Sequence, residues 1–164
     1  EQLLEKSPRL IAILEEVRDP GNAGTIIRAA DAAGADGVII TGRSVDIYNP
    51  KVVRSTTGSL FHLPIAVGAE LPNVLQRARA AGLTVLAADV KGTSLLDARA
   101  DGTLAGPTAW LFGNEAHGLT DEQLPLADAA ITVPIYGHAE SMNLATAASV
   151  CLYESAFAQR SVAS

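Results

Sequence analysis

Short apolar runs alternate with amphipathic segments along the whole chain. Leu10–Leu14, Gly37–Thr41, Leu63–Val67, Thr84–Ala88, Thr108–Phe112 and Ala130–Val133 are each four or five residues long and almost free of charge. Runs of that length read as buried strands. Between them, Asn22–Ala33, Asn49–Thr57, Pro72–Ala81 and Met142–Gln159 carry helical spacing. Gly34 and Gly82 stand where left-handed residues end helices. Continuous apolar strands separated by helices predict an α/β fold: a mostly parallel sheet with helices on both faces. Pro64 marks the third strand as an edge, because proline cannot donate to an inner ladder. Lys91–Gly106 is the least regular stretch. No repeat or linker divides the chain, so residues 1–164 are expected to form one domain. In such a sheet ligands sit beyond the carboxyl ends of the strands.

Composition removes several classes. Hydrophobic residues make up 48% of the chain, enough for a sizeable core, and aromatics only 4%. No apolar run approaches the roughly 18 residues of a membrane span, and no basic-then-apolar leader opens the chain. Cys151, the single cysteine, lies in an apolar helical stretch and reads as a small core residue. These features point to the cytoplasm, with no membrane partner. His62, His117 and His138 show no ligand-like grouping, so no metal is expected. The net charge of −6 argues at first against a nucleic-acid partner, but it is uneven. Residues 1–60 hold seven Lys/Arg against eight Asp/Glu, and residues 61–164 hold five against ten. Arg28, Arg43, Lys51 and Arg54 fall near expected loops and helix ends, where either a local basic groove or an ordinary mixed surface would fit.

Three polar segments follow strands. In the first, Asp19-Pro20-Gly21-Asn22-Ala23-Gly24 leads into a helix bearing Arg28. Asn22 is a helix-capping residue by type, Gly21 and Gly24 permit close backbone approach, and the Arg28 fork suits a phosphate or carboxylate. In the second, Gly113-Asn114-Glu115-Ala116-His117-Gly118-Leu119 imitates half of a phosphate loop. Leu119-Thr120 then stands where Lys-Ser/Thr would have to follow, and no Gly-x-Gly-x-x-Gly run occurs anywhere. Both absences count against a dehydrogenase or phosphotransfer domain. Glu115 there could orient a cation or a sugar hydroxyl, or be a solvated loop acid. In the third, Val133-Pro134-Ile135 runs through a loop to Ser141-Met142-Asn143-Leu144. Ser141 is the expected N-cap, Asn143 falls in the first helical turn, and Ala145, Ala147 and Ala148 leave room for a close neighbour.

Taken together and in this order, Pro-Gly-Asn-x-Gly-x-x-x-Arg, Gly-Asn-Glu-x-x-Gly-Leu, and Val-Pro-Ile with Ser-x-Asn-x-x-x-Ala resemble the three signature motifs of the SpoU/TrmH RNA ribose 2′-O-methyltransferases. The likeness runs from about Leu10 to Ala158. Tyr48-Asn49-Pro50-Lys51-Val52-Val53-Arg54 with Thr57-Gly58-Ser59 is further similar to the bacterial rRNA-modifying branch, including the thiostrepton-resistance type. The resemblance implies a C-terminal trefoil knot, which chain-topology rules alone would not suggest. It also implies a homodimer and S-adenosylmethionine as methyl donor. By motif position, Ala88, Gly113, Val133, Ile135 and Met142 would hold the donor, and Asn22, Arg28, Glu115, Ser141 and Asn143 would be catalytic.

The implied reaction carries a methyl from a sulfonium to a ribose 2′-hydroxyl of RNA, rRNA rather than tRNA. Positioning two reactants contributes of order 7–11 kcal/mol in favourable cases. Arg28 would be either the base or a clamp on the neighbouring phosphate, Glu115 would hold Arg28 or a sugar hydroxyl, and Asn22, Ser141 and Asn143 would orient ribose and donor. The alternative within the same resemblance is a degenerate domain that binds RNA or donor without catalysis. Many relatives carry an N-terminal RNA-binding domain. This chain starts at Glu1, just before the first strand, so that domain is expected to lie outside it.

Overall fold

The computed structural model describes residues 2–162. After a short helix, α1 (Gln2–Glu5), the chain forms β1 (Leu10–Glu15), α2 (Pro20–Ala32), β2 (Gly37–Thr41), α3 (Pro50–Thr56), β3 (Ile65–Ala69), α4 (Leu71–Ala80), β4 (Thr84–Ser94), α5 (Leu95–Ala100), β5 (Thr108–Phe112), β6 (Ala129–Thr132) and α6 (Leu144–Val162). Tight 3-10 turns lie at Ser59–Phe61, Thr103–Ala105 and Leu124–Leu126. The six strands form one sheet in the order β3-β2-β1-β5-β4-β6, and every pairing is parallel.

Alternation along the strands divides the core in two. Leu10, Ala12, Leu14, Val38, Ile40, Leu86, Trp110 and Phe112 face α2 and α6, represented by Ile26, Ile27, Ala148 and Leu152. Ile11, Ile13, Ile39, Val85, Ala87, Ala109 and Leu111 face α4, represented by Leu71, Val74, Leu75 and Ala78. Helices therefore cover both faces, as the strand pattern predicts. Trp110 is fully buried and its indole N–H donates to Ser155 Oγ at 2.8 Å, tying α6 to the middle of the sheet. Cys151 is buried on the same helix, the core residue expected of it.

Several boundaries differ from the sequence expectations. α2 starts at Pro20 and its cap is Asp19, whose carboxylate accepts from the amides of Gly21 and Asn22; Asn22 is thereby freed from capping. α6 starts at Leu144, not Met142, and its cap is Asn143, whose Oδ1 accepts from the Thr146 amide at 3.2 Å. Ser141 does not cap. β3 lies two residues later than expected but is the edge strand that Pro64 signals. β4 does not stop at Ala88. Ile131 of β6 pairs with both Ala88 and Thr93, so Asp89–Gly92 bulges out and the strand resumes. Most of Lys91–Gly106 is accordingly ordered as strand, α5 and a 3-10 turn. Gly34 follows the end of α2 at φ +75° and Gly82 follows α4 at φ +88°, the left-handed role assigned to both.

Gly24 has a packing reason. A Cβ there would lie 2.3 Å from Ser55 Cβ and 2.8 Å from the Val52 carbonyl oxygen. Only a glycine lets α3 cross α2 this closely.

Candidate functional site

The loops after β1, β5 and β6 and the bulge within β4 gather beyond the carboxyl edge of the sheet. β1 and β5 are neighbours, so the first two polar segments meet although about a hundred residues separate them. The β1 segment turns through Glu16 at φ +54° and reaches the Asp19 cap. Asp19 Oδ1 accepts from the Gly21 amide at 2.7 Å and the Asn22 amide at 3.3 Å. With the first turn satisfied, the Asn22 side chain is available for other contacts.

The β5 segment is a closed loop. Asn114 and Gly118 exchange two backbone hydrogen bonds, at 3.2 and 2.8 Å, with Gly118 at φ +67°. Asn114 Oδ1 accepts from the amides of Ala116 and His117, and its Nδ2 donates to the Glu16 carbonyl at 2.9 Å. Glu115 then projects toward the first segment, and its Oε1 accepts from the Asp19 amide at 2.7 Å. Gly113 supports this loop from beneath, since a Cβ there would fall 2.5 Å from the Gly118 backbone carbon. The third segment joins through its cap: Asn143 Nδ2 donates to Asn22 Oδ1 at 3.1 Å.

These contacts frame a cavity of about 530 Å³, a size typical of small-molecule sites. It is bounded by Ala88–Val90, Asn114–Gly118, Ile131–Ile135, Glu140–Met142, Leu144 and Ala147. Its walls are mainly apolar, from Ile131, Val133, Ile135, Met142 and Leu144. Its charged residues are Asp89, Glu115 and Glu140, with no Lys or Arg in the lining. Such a wall favours a cationic ligand and opposes a phosphate-rich one.

Ala88, Val133, Ile135 and Met142 line the cavity, as do Glu115 and Ser141. Gly113 stands one residue outside the lining and acts on its shape. Asn143, between the lining residues Met142 and Leu144, meets Asn22, and neither asparagine lines the cavity itself. Arg28 takes no part in these contacts. It is exposed on α2, about 9 Å further along the axis than Asn22 at 1.5 Å per residue, and does not line the cavity. No ion pair to it occurs among the described residues; Glu115, expected to hold Arg28 or a sugar hydroxyl, makes no ion pair with Arg28, and its Oε1 accepts from the Asp19 amide.

Sequence reasoning missed four contributors. The Asp19-Pro20 pair signals a cap followed by proline at the first helical position, and it passed unused in favour of Asn22. Asn114 was visible inside its motif but was assigned no role. Asp89 and Glu140 became site residues only through the β4 bulge and the last loop. Behind the site, Glu15 is 6% exposed, accepts from Thr41 Oγ1 at 2.5 Å and from Gln123 Nε2 at 3.0 Å. Burial pushes its carboxyl above the ordinary range, against the pull of the Thr41 hydroxyl. Among the described residues no group of three or more His, Cys, Asp or Glu could hold a metal ion. No helix there is long and apolar enough to cross a membrane.

Comparison with known proteins gives one consistent answer. The profile of the SpoU rRNA Methylase family matches residues 9–153. The 23S rRNA (uridine(2479)-2′-O)-methyltransferase of Streptomyces viridochromogenes is 39% identical over 145 residues, 87% of this chain and 50% of that protein. The 23S rRNA (guanosine(2553)-2′-O)-methyltransferase RlmP of Bacillus subtilis is 37% identical over 147 residues, 88% of this chain and 57% of that protein. Among solved structures, the AdoMet-bound rRNA methyltransferase from Sinorhizobium meliloti superposes with a TM-score of 0.80 at 42% identity, covering 90% of this chain and 55% of that one. The chain thus spans about half the length of the curated relatives it matches.

Proposed function

Since the chain belongs to the SpoU rRNA Methylase family, we propose that residues 1–164 are a catalytic domain that transfers a methyl group from S-adenosylmethionine to a ribose 2′-hydroxyl of rRNA. The observation that carries this reading is the cavity, whose charged lining is wholly acidic. S-adenosylmethionine bears a sulfonium and an ammonium against a single carboxylate. The nucleotides used by dehydrogenases and phosphotransferases are polyanions. Apolar side chains from Ile131 to Leu144 suit the adenine and the methionine chain, and Asp89, Glu115 and Glu140 suit the cationic centres. Ala88, Val133, Ile135 and Met142 would hold the donor, with Gly113 shaping the loop beneath it.

When bound, the donor supplies an electrophilic methyl carbon. The protein's part is to present the hydroxyl in line and to exclude competing water. Asn22 and Asn143, joined to each other, and Ser141 on the lining would orient the ribose. Glu115 holds the first segment through the Asp19 amide, which fixes Asn22 three residues on. Arg28, which has no ion-pair partner among the described residues, would clamp the RNA phosphate beside the target ribose through its planar fork.

The reading includes a homodimer and a threaded C-terminal segment. An exposed stripe on α6, of Val150, Tyr153 and Phe157 at helical spacing, supports the first. Close main-chain packing of β4 against β6 goes with the second, since a Cβ on Gly92 would lie 2.5 Å from the Ala130 backbone carbon. A cytoplasmic location goes with the rRNA substrate.

Isothermal titration with S-adenosylmethionine and S-adenosylhomocysteine tests the reading. One micromolar-range site per chain is expected, with no heat from NADH or ATP. A folded sample that binds neither sulfur ligand overturns it.

A further inference from the structure

Residues 43–62 hold Arg43, Lys51 and Arg54 against Asp46 alone, a net +2 in a chain of −6. None of these cations has a carboxylate within 4.0 Å among the described residues, whereas Arg79 is paired with Asp128 and Arg99 with Glu154. Lys51 and Arg54 are exposed and three apart on α3, hence on one face. The segment's two exposed aromatics flank that helix. Tyr48 is 73% exposed before it and Phe61 81% exposed after it. Both rings are open to solvent and make no ring contact among the described residues.

The strip is tied to the site. A Cβ on Gly21 would lie 4.0 Å from Lys51 Cε, so the Lys51 side chain reaches the first turn of α2, which carries Asn22. Asp31, the nearby carboxylate of α2, is turned onto Ser59 Oγ at 2.7 Å and His62 Nδ1 at 3.2 Å. It anchors the Ser59–Phe61 turn and does not neutralise Lys51 or Arg54.

Unpaired cations that track a backbone, bracketed by open aromatic faces, make up the chemistry of single-stranded nucleic-acid binding. We propose that the α3 face, from Tyr48 to Phe61, binds the single-stranded RNA flanking the target nucleotide. Lys51 and Arg54 hold consecutive phosphates, and Tyr48 and Phe61 stack on bases. This rests on the methyltransferase reading, which supplies the RNA. It locates a substrate contact within the catalytic domain itself, outside the donor cavity.

The test is fluorescence anisotropy with a labelled twelve-nucleotide oligouridylate between 50 and 200 mM KCl. Each variant is also titrated calorimetrically with S-adenosylhomocysteine. Lys51→Ala/Arg54→Ala should weaken RNA binding about tenfold and flatten the salt slope by about 1.4, at roughly 0.7 per phosphate contact on a single strand. Phe61→Ala should weaken it about five- to hundredfold with the slope unchanged. Arg99→Ala, which removes a paired cation elsewhere, should do neither. RNA affinities within twofold of the wild type for both α3 variants overturn the proposal, as does a wild type that binds no RNA. Conversion of the protein to a smaller species by Phe61→Ala in sedimentation velocity also overturns it, because the face would then be an interface between copies. Failure of S-adenosylhomocysteine to bind the wild type would sink the methyltransferase reading instead, and leaves the anisotropy result to stand separately.

Discussion

Replacing Asn114 with alanine should damage both the fold and the proposed donor site, by an amount its contacts set. The side chain makes three hydrogen bonds: it accepts from the amides of Ala116 at 2.8 Å and His117 at 3.3 Å, and donates to the Glu16 carbonyl at 2.9 Å. An intramolecular hydrogen bond contributes about 0.5–1.5 kcal/mol net. The Ala116 and His117 amides lie in an exposed turn and regain water on truncation. The Glu16 carbonyl, between two packed loops, regains less. A loss of about 1–3 kcal/mol follows, and for a chain of this length that lowers Tm by about 2–4 °C per kcal/mol. Asn114→Asp sharpens the test. The carboxylate keeps both acceptor bonds but sets a second oxygen against the Glu16 carbonyl, so at neutral pH it should be no better than alanine. Protonation restores a donor. The folded state then binds that proton more tightly than the unfolded chain, so the deficit should shrink as pH falls and grow as pH rises. Urea unfolding followed by Trp110 fluorescence measures stability, and titration with S-adenosylhomocysteine measures the site, which should weaken at least fivefold in Asn114→Ala. If Asn114→Ala unfolds at the wild-type midpoint and binds that ligand unchanged, the loop is held by something else.

Three further outcomes are expected. Ser155→Ala removes the acceptor of the buried Trp110 indole N–H and should cost about 1–3 kcal/mol with no change in urea m-value; a midpoint within error of the wild type would show that the indole finds another partner. Burial pushes the Cys151 thiol up to about 12, so Ellman's reagent at pH 8 should react only as fast as the protein opens, and complete labelling within seconds in native buffer would contradict the burial. Glu15 has a raised folded-state pKa, so its contribution to stability falls as pH rises from its ordinary 4.5 toward the folded value. Glu15→Gln can keep bonds to Gln123 and Thr41, whose hydroxyl also lies 3.3 Å from the Leu14 carbonyl. It should therefore flatten that decline, and parallel pH–stability curves for the two proteins would refute the assignment.

The strands were legible because apolar runs bounded by helical spacing admit little else. Val85, Ala87, Ala109 and Leu111 all lie where the pattern puts buried strand residues. The order β3-β2-β1-β5-β4-β6 was not legible, because strand pairing depends on contacts between distant segments that local pattern does not encode. The site was half legible. Glu115 and Ser141 were found by position after strands, and both line the cavity. The caps were misjudged, since two capping types stand within three residues at each helix start. Asp19 and Asn22 compete at one, and Ser141 and Asn143 at the other. The winners, Asp19 and Asn143, are decided by where the helix docks. The β4 bulge was hidden because Asp89–Gly92 breaks the apolar alternation and so imitates the end of a strand.

The bond between Asn22 and Asn143 spans 121 residues of chain, and that between Asp19 and Glu115 spans 96. Contacts so remote in sequence carry a loop-closure cost that packing of the intervening strands must offset. The proposed donor pocket is therefore complete only once these contacts have closed. It is absent from any intermediate in which β1 and β5 are still apart, and a ligand that recognises it can bind only the finished molecule. Such a ligand holds the chain in its folded state by mass action. If the cavity takes S-adenosylmethionine as proposed, saturating ligand should slow irreversible inactivation of this protein on heating and so act as a brake on unfolding.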